Sequence, residues 1–166
     1  MTSLAFPDTT VLVNFALLRR MDLLKQLMAA SGRWCQSIAS ECDASARIPG
    51  LEALDEARGI FGEPWAPTPG EHVMIMIFRE GLASAGDPPT RHLGEAETIV
   101  LLRDRAPGSR FVTDDRDAMR AATAEGLGVV TTRGLLVLCV KLGWISLSEH
   151  TAFIDYLTSE GRYLPA

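Results

Sequence analysis

The stretch FVTDDRDAM at 111–119 sets Asp114, Asp115 and Asp117 directly behind a short apolar run. Carboxylates placed that close repel one another, and the repulsion is relieved either by raised pKa values or by a cation. Other acids occupy comparable positions: Asp8 follows SLAFP, Glu41 lies within SIASEC, and Glu95 and Glu97 open LGEAETIVLL. A ligand set made only of carboxylate oxygens, without His or Cys, suits Mg²⁺ or Mn²⁺. The residues that could do chemistry are therefore acids drawn from four separate segments.

Rival chemistries lack their residues. His72, His92 and His150 are far apart and show no His-Glu-x-x-His spacing, so a zinc site is not indicated. Cys35, Cys42 and Cys139 form no Cys-x-x-Cys pair, and an odd, widely spaced set is a poor disulfide framework; it fits a reducing cytoplasm. No Gly-rich loop of the Walker type is present.

The acids need a framework to converge. SLAF is a short strand candidate that stops at Pro7-Asp8, and 9–30 has helical spacing with a break or bend near Arg19 to Asp22. RWCQSI predicts a second short strand, followed by a helix that begins between Ser37 and Ser40. A helix over 51–60 precedes a loop marked by Pro64, Pro67, Pro69 and Gly70, and 71–84 is helical again. After the loop ASAGDPPTRH come the helix LGEAETIVLLRDR, the strand SRFVT, the helix DRDAMRAATAEG closed at Gly126, and the strand LGVVTT. GLLVLCVKLGWI and SEHTAFIDYL close the chain as helices, the second opening at Ser148 with Glu149 in its first turn. This alternation predicts one α/β domain over 1–166, with a mainly parallel sheet covered on both faces. Residues just past the carboxyl ends of parallel strands share one edge, and Asp8, Asp114 and Asp115 fall there.

Each acid taken singly also fits a structural role. Acids near helix starts cap free N–H groups, worth roughly 0.5–2 kcal/mol, which explains Asp115 and Asp117 as readily as catalysis does. Capping does not predict acids after two strands together with acids in two intervening helices.

The segments FPDTTVLVNFALLRRMDLL, SIASEC, LGEAETIVLL, FVTDDRDAMRAA and LGVVTTRGLLVLCVKLGWIS resemble, in order, those of PIN-domain proteins. The last three are most similar to a branch with a Gly-Glu-Ala-Glu helix and an Asp-Asp-Arg turn, related to VapC-type toxins. The resemblance covers about the first 45 and the last 75 residues. It implies a three-layer α/β/α sandwich around a short parallel sheet, and Mg²⁺- or Mn²⁺-dependent cleavage of single-stranded RNA or other nucleic acid. It also implies site residues: Asp8 as the first acid, Glu41 as the second, and Asp115 with Asp114 beside it as the acids after the fourth strand. Glu95 and Glu97 compete for the third position. Glu95 is preferred because its helical face continues through Ile99 and Leu102, whereas that of Glu97 reaches Asp104. Thr10 stands where a hydroxyl holds the first acid or a metal-bound water, with helix capping as its alternative, and Arg116 lies beside the acids, where it could contact a phosphate, neutralisation of the neighbouring aspartates being the commoner role of such an arginine.

What the resemblance implies for partners is an antitoxin that blocks the acidic pocket. HVMIMIF could be a dimer surface, although a buried helix is the commoner meaning of such a run. A catalytically inactive nucleic-acid-binding or protein-interaction module is the alternative to a nuclease. A net charge of −5 gives no general attraction to a phosphate backbone, so contact with nucleic acid would rest on a local basic patch. No leader-like stretch and no run long enough to span a bilayer is present, which predicts a cytoplasmic protein that does not enter membranes.

Overall fold

The structure is a computed structural model that describes residues 3–166. Three short strands, β1 (Ala5–Pro7), β2 (Arg110–Val112) and β3 (Gly128–Val130), form a parallel sheet in the order β1-β2-β3. Phe6 pairs with Phe111 and Phe111 with Val129, so these side chains share one face; Val112 and Val130, one residue on, share the other.

Each face is covered by helices. On the Phe6–Phe111 face, Ile99 and Leu102 of α6 (Leu93–Arg105) and Ala118 and Ala122 of α7 (Arg116–Ala124) complete a buried cluster. The Val112 face packs against α1 (Thr9–Leu17), α2 (Met21–Met28), α3 (Gln36–Ser45) and α8 (Thr132–Lys141), around Phe15, Leu24, Trp34, Ile38 and Leu136. The result is a three-layer α/β/α sandwich. Helix α6 serves both sides, since Leu101 joins the second cluster, and it is buried from Gly94 to Leu102 apart from a half-buried Glu95.

Most expected elements are present, and the departures have local causes. The helix over 9–30 divides into α1 and α2 at Arg19, within the expected break, because a φ of 55° cannot continue a helix. No strand forms over RWCQSI: Gly32, just before it, makes a single bridge to Ala5, and Cys35 makes another to Trp65, before α3 begins at Gln36. The expected helix over 51–60 is a 3₁₀ turn (Glu52–Glu56) running into α4 (Ala57–Phe61). Helix α5 (Pro69–Leu82) starts earlier than expected. Thr68 and Glu71 form a capping box, and Pro69 sits at the first helical position, where its missing N–H costs nothing. The same device, Ser146 with Glu149, starts α9 (Leu147–Ser159) before Ser148.

HVMIMIF lies on α5 but is buried on one face only: Ile75 is enclosed, whereas Val73 and Ile77 are exposed. Cys35, Cys42 and Cys139 are buried free thiols. Among the described residues, no helix is long and apolar enough to cross a membrane.

Candidate metal centre

All three strands end on the same edge, and the residues that follow them build the site. Asp8 follows β1, and the ladder continues past it through the Asp8 N–H to the Val112 carbonyl. Asp8 occupies the N-cap position of α1, yet its carboxylate caps nothing. Oδ2 instead accepts from the Thr10 hydroxyl at 2.8 Å and the Thr113 hydroxyl at 3.0 Å. Burial and the charge of Glu95 push the Asp8 carboxyl well above the usual range, outweighing these donors.

Glu95 stands in the first turn of α6, and its carboxyl is also raised, by burial first and then by the charges of Glu41 and Asp115. Glu41, on α3, accepts from the Thr9 hydroxyl at 2.6 Å and is raised by burial, with Asp8 and Glu97 adding to the effect. Gly94 allows this approach, because a Cβ there would lie 2.9 Å from Glu41 Oε1 and 2.5 Å from Ile38 Cδ1. Asp115 caps α7 through Oδ1, which accepts from the Ala118 N–H at 2.8 Å, so its capping role and its place at the acidic edge coexist.

Asp8, Glu41, Glu95 and Asp115 thus act on one another electrostatically, and no Arg or Lys among the described residues forms an ion pair with any of them. His92 stands beside Glu95, with Nδ1 3.8 Å from that carboxylate and Nε2 3.7 Å from Asp87. His92 holds a φ of 62° at the start of α6, an uncommon conformation for a residue other than glycine.

The other three acids named from the sequence are engaged elsewhere. Glu97 is buried, contrary to the outward face its spacing with Asp104 suggested. It accepts from the Ser37 N–H at 3.2 Å and from the Ser37 hydroxyl, tying α6 to the start of α3. Asp114, equally buried, accepts from the Thr132 N–H at 2.8 Å, the Thr132 hydroxyl and Asn14 Nδ2 at 2.8 Å. Asp117 is exposed and lies 3.5 Å from Arg120.

Four hydroxyls or amides in this shell, Thr9, Thr113, Thr132 and Asn14, escaped sequence reading. The Thr-Thr pairs after β1 and β3 were the available signal, because polar residues just past parallel strands share the edge with the acids. Nothing in the sequence pointed to Arg162 and Tyr163, which line a cleft of about 470 Å³ together with Thr10, Asp114, Asp115 and Arg116. Glu41 and Glu97 border a second cleft of about 380 Å³.

Hard oxygen donors that repel one another fit a divalent cation chemically. Among the described residues, however, no three His, Cys, Asp or Glu side chains stand in a ready-made ligand arrangement.

Residues 5–166 match the family DUF3368, described as a PIN domain. No curated protein and no solved structure matches the chain.

Proposed function

The chain belongs to the PIN-domain family, and from that premise we propose that it is a Mg²⁺- or Mn²⁺-dependent endoribonuclease acting on single-stranded RNA. PIN domains are commonly nucleases. The observation that carries the reading for this chain is the mutual repulsion of Asp8, Glu41, Glu95 and Asp115 at the strand edge, with no Arg or Lys ion-paired to any of them among the described residues.

In this reading Asp8, Glu95 and Asp115 hold the cation, with Glu41 contributing directly or through water. A divalent ion bound there would lower the pKa of a water molecule and stabilise charge on the scissile phosphate. The chain's own residues do the positioning. Thr10 and Thr113 fix the Asp8 carboxylate by donating to the same oxygen, and Thr9 orients Glu41. Asp114 holds the end of β2 against α8 through Thr132, which keeps Asp115 at the edge. Glu97 anchors the helix that carries Glu95. Asp114 and Glu97 are therefore assigned to support, not to ligation.

Two variants test the proposal. Asp8→Asn keeps an acceptor for Thr10 and Thr113, and Asp115→Asn keeps a capping oxygen of similar quality. Each is expected to fold as the parent does and to lose metal-dependent cleavage of single-stranded RNA. Undiminished cleavage in both purified variants would sink the reading.

A second reading is favoured by the absence of a preassembled three-ligand set: a PIN fold that binds nucleic acid or protein without a catalytic metal. Calorimetric titration with Mn²⁺ separates the two, since the inactive module would show no site-specific binding that Asp8→Asn removes. The toxin role, with an antitoxin over the acidic cleft, and a homodimer through the exposed Val73 and Ile77 on α5 belong to the proposal. Sedimentation of the protein with and without Ile77→Asp tests the dimer.

A further inference from the structure

The segment after α9 folds back onto the acidic edge. Gly161 turns the backbone with a φ of 75°, and Arg162 then reaches α1, donating from Nε to Asn14 Oδ1 at 2.7 Å and from Nη2 to the Thr10 carbonyl at 3.2 Å. This anchors Tyr163 across the cleft from Thr10 and Asp115. The Arg116 guanidinium lies 4.5 Å from the centre of the Tyr163 ring, and its Nε donates to the Tyr163 hydroxyl. Tyr163 remains 48% exposed. Arg116 is flanked by Asp115 and Asp117 in sequence but forms no ion pair among the described residues, which leaves its remaining N–H groups directed at solvent.

An exposed aromatic backed by an arginine, in a cleft bordered by an acidic metal-type edge, has the chemistry of a single nucleotide: a ring to stack a base and a fixed cation for a phosphate. A net charge of −5 makes such a local pairing the more telling, since the chain as a whole repels polyanions. A paired base offers no free face for stacking, so the match is to a single strand. We propose that Tyr163 and Arg116, held in place by Arg162, form a subsite for one unpaired nucleotide beside the carboxylate edge. Tyr163 stacks the base, Arg116 contacts a phosphate, and Arg162 is a positioning residue that donates to Asn14 and to the Thr10 carbonyl. The nature of the ligand rests on the nuclease reading above.

The test is fluorescence anisotropy of labelled RNA with the full chain in EDTA, where no cleavage intervenes. Tyr163→Ala is expected to weaken binding of a single-stranded oligonucleotide about ten-fold, while Tyr163→Phe, which keeps the ring, stays within about two-fold of the parent. An oligonucleotide with abasic sites should bind the parent and Tyr163→Ala equally, and duplex RNA should be indifferent to the substitution. The inference is overturned if Tyr163→Ala binds the single strand as the parent does, if abasic RNA loses as much as intact RNA, or if the parent binds no single strand. It is equally overturned if Tyr163→Phe falls as far as Tyr163→Ala, since the ring would not be what matters. Metal-dependent cleavage measured in parallel keeps the two readings apart. A Tyr163-dependent binder that does not cleave retains the subsite and loses the nuclease. Asp8-dependent cleavage with Tyr163-independent binding does the reverse.

Discussion

Asp8 and Glu95 carry an energetic signature that can be measured without knowing the substrate. In the unfolded chain these groups ionise near 3.8 and 4.5, and in the folded protein burial and mutual repulsion move both upward. Between the two sets of values the folded state binds more protons, so their contribution to stability is greatest below the unfolded values and is lost as pH rises through the folded ones. Other groups slope both ways, Glu41 and Asp114 with this pair and Asp22 and Glu71 against it, so the variant-minus-parent difference is the useful quantity. In EDTA, Asp8→Asn is expected to gain in Tm relative to the parent as pH is raised from the acid to the alkaline side. Mn²⁺ should favour the ionised acids and lift the parent's Tm most at high pH, with no lift in Asp8→Asn. A difference curve that is flat with pH, or an Mn²⁺ shift that survives the substitution, counts against the site. The two glutamates of α6 part at the same scale. Glu95→Gln should lose Mn²⁺ binding at little cost in stability. Glu97→Ala should cost about 1–3 kcal/mol in urea denaturation, because it removes a buried acceptor from Ser37.

At the scale of elements, the packing of α6 on α3 decides whether the acids can meet. Gly94→Ala would drive a Cβ to 2.5 Å from Ile38 Cδ1 and 2.9 Å from Glu41 Oε1. Ile38 is fully buried and has nowhere to go, so overpacking of about 1–3 kcal/mol is expected, set against a helix-propensity gain of at most about 1 kcal/mol. Glu41 is the more mobile neighbour and should swing away, so weaker Mn²⁺ binding by calorimetry should accompany the lower stability in urea. Stability equal to the parent's would mean the two helices are looser than their geometry implies. The sequence made the helices and strands legible where periodicity was long or a cap was written plainly, as in LGEAETIVLLRDR and RFVTDD. It misled where a few tertiary bonds determined the state. RWCQSI has strand-like residues, but it makes only an isolated bridge, Cys35 to Trp65, beside that of Gly32 to Ala5. Glu97 looked outward by spacing with Asp104, yet a helix buried on both sides of its axis has no outward face in its first two turns. Site residues adjacent to strand ends could be read from chain order. Those brought in from a distance, Arg162 and Tyr163, left no local pattern to read.

For the whole molecule, the site is a product of long-range closure, and Asn14 is where that closure converges. Its side chain is fully buried and joins residues 100, 118 and 148 positions away: Nδ2 donates to Asp114 and Thr132, and Oδ1 accepts from Arg162. One amide thus ties α1 to the end of β2, to the start of α8 and to the segment after α9. Each of these contacts, like the pairing of β1 with β2, closes a loop of about a hundred residues or more, the kind of closure that makes a fold slow and cooperative. Asn14→Ala leaves the buried Asp114 carboxylate with one donor fewer and removes one of the two side-chain anchors of Arg162. The expected loss is about 1–3 kcal/mol, or on the order of 2–10 °C in Tm for a chain of this size. Two effects should therefore appear together: a lower Tm, and faster amide hydrogen exchange at 161–163 under conditions where the sheet remains protected. A Tm loss with unchanged exchange at 161–163 would show that the segment after α9 is held by the Leu157 carbonyl bond to the Arg162 N–H, by the Thr10 carbonyl and by Arg116, not by Asn14. The distinction matters for the whole fold, because in the first case the cleft wall and the acidic edge rise and fall as one cooperative unit. In the second, the wall can open while the acids stay in place.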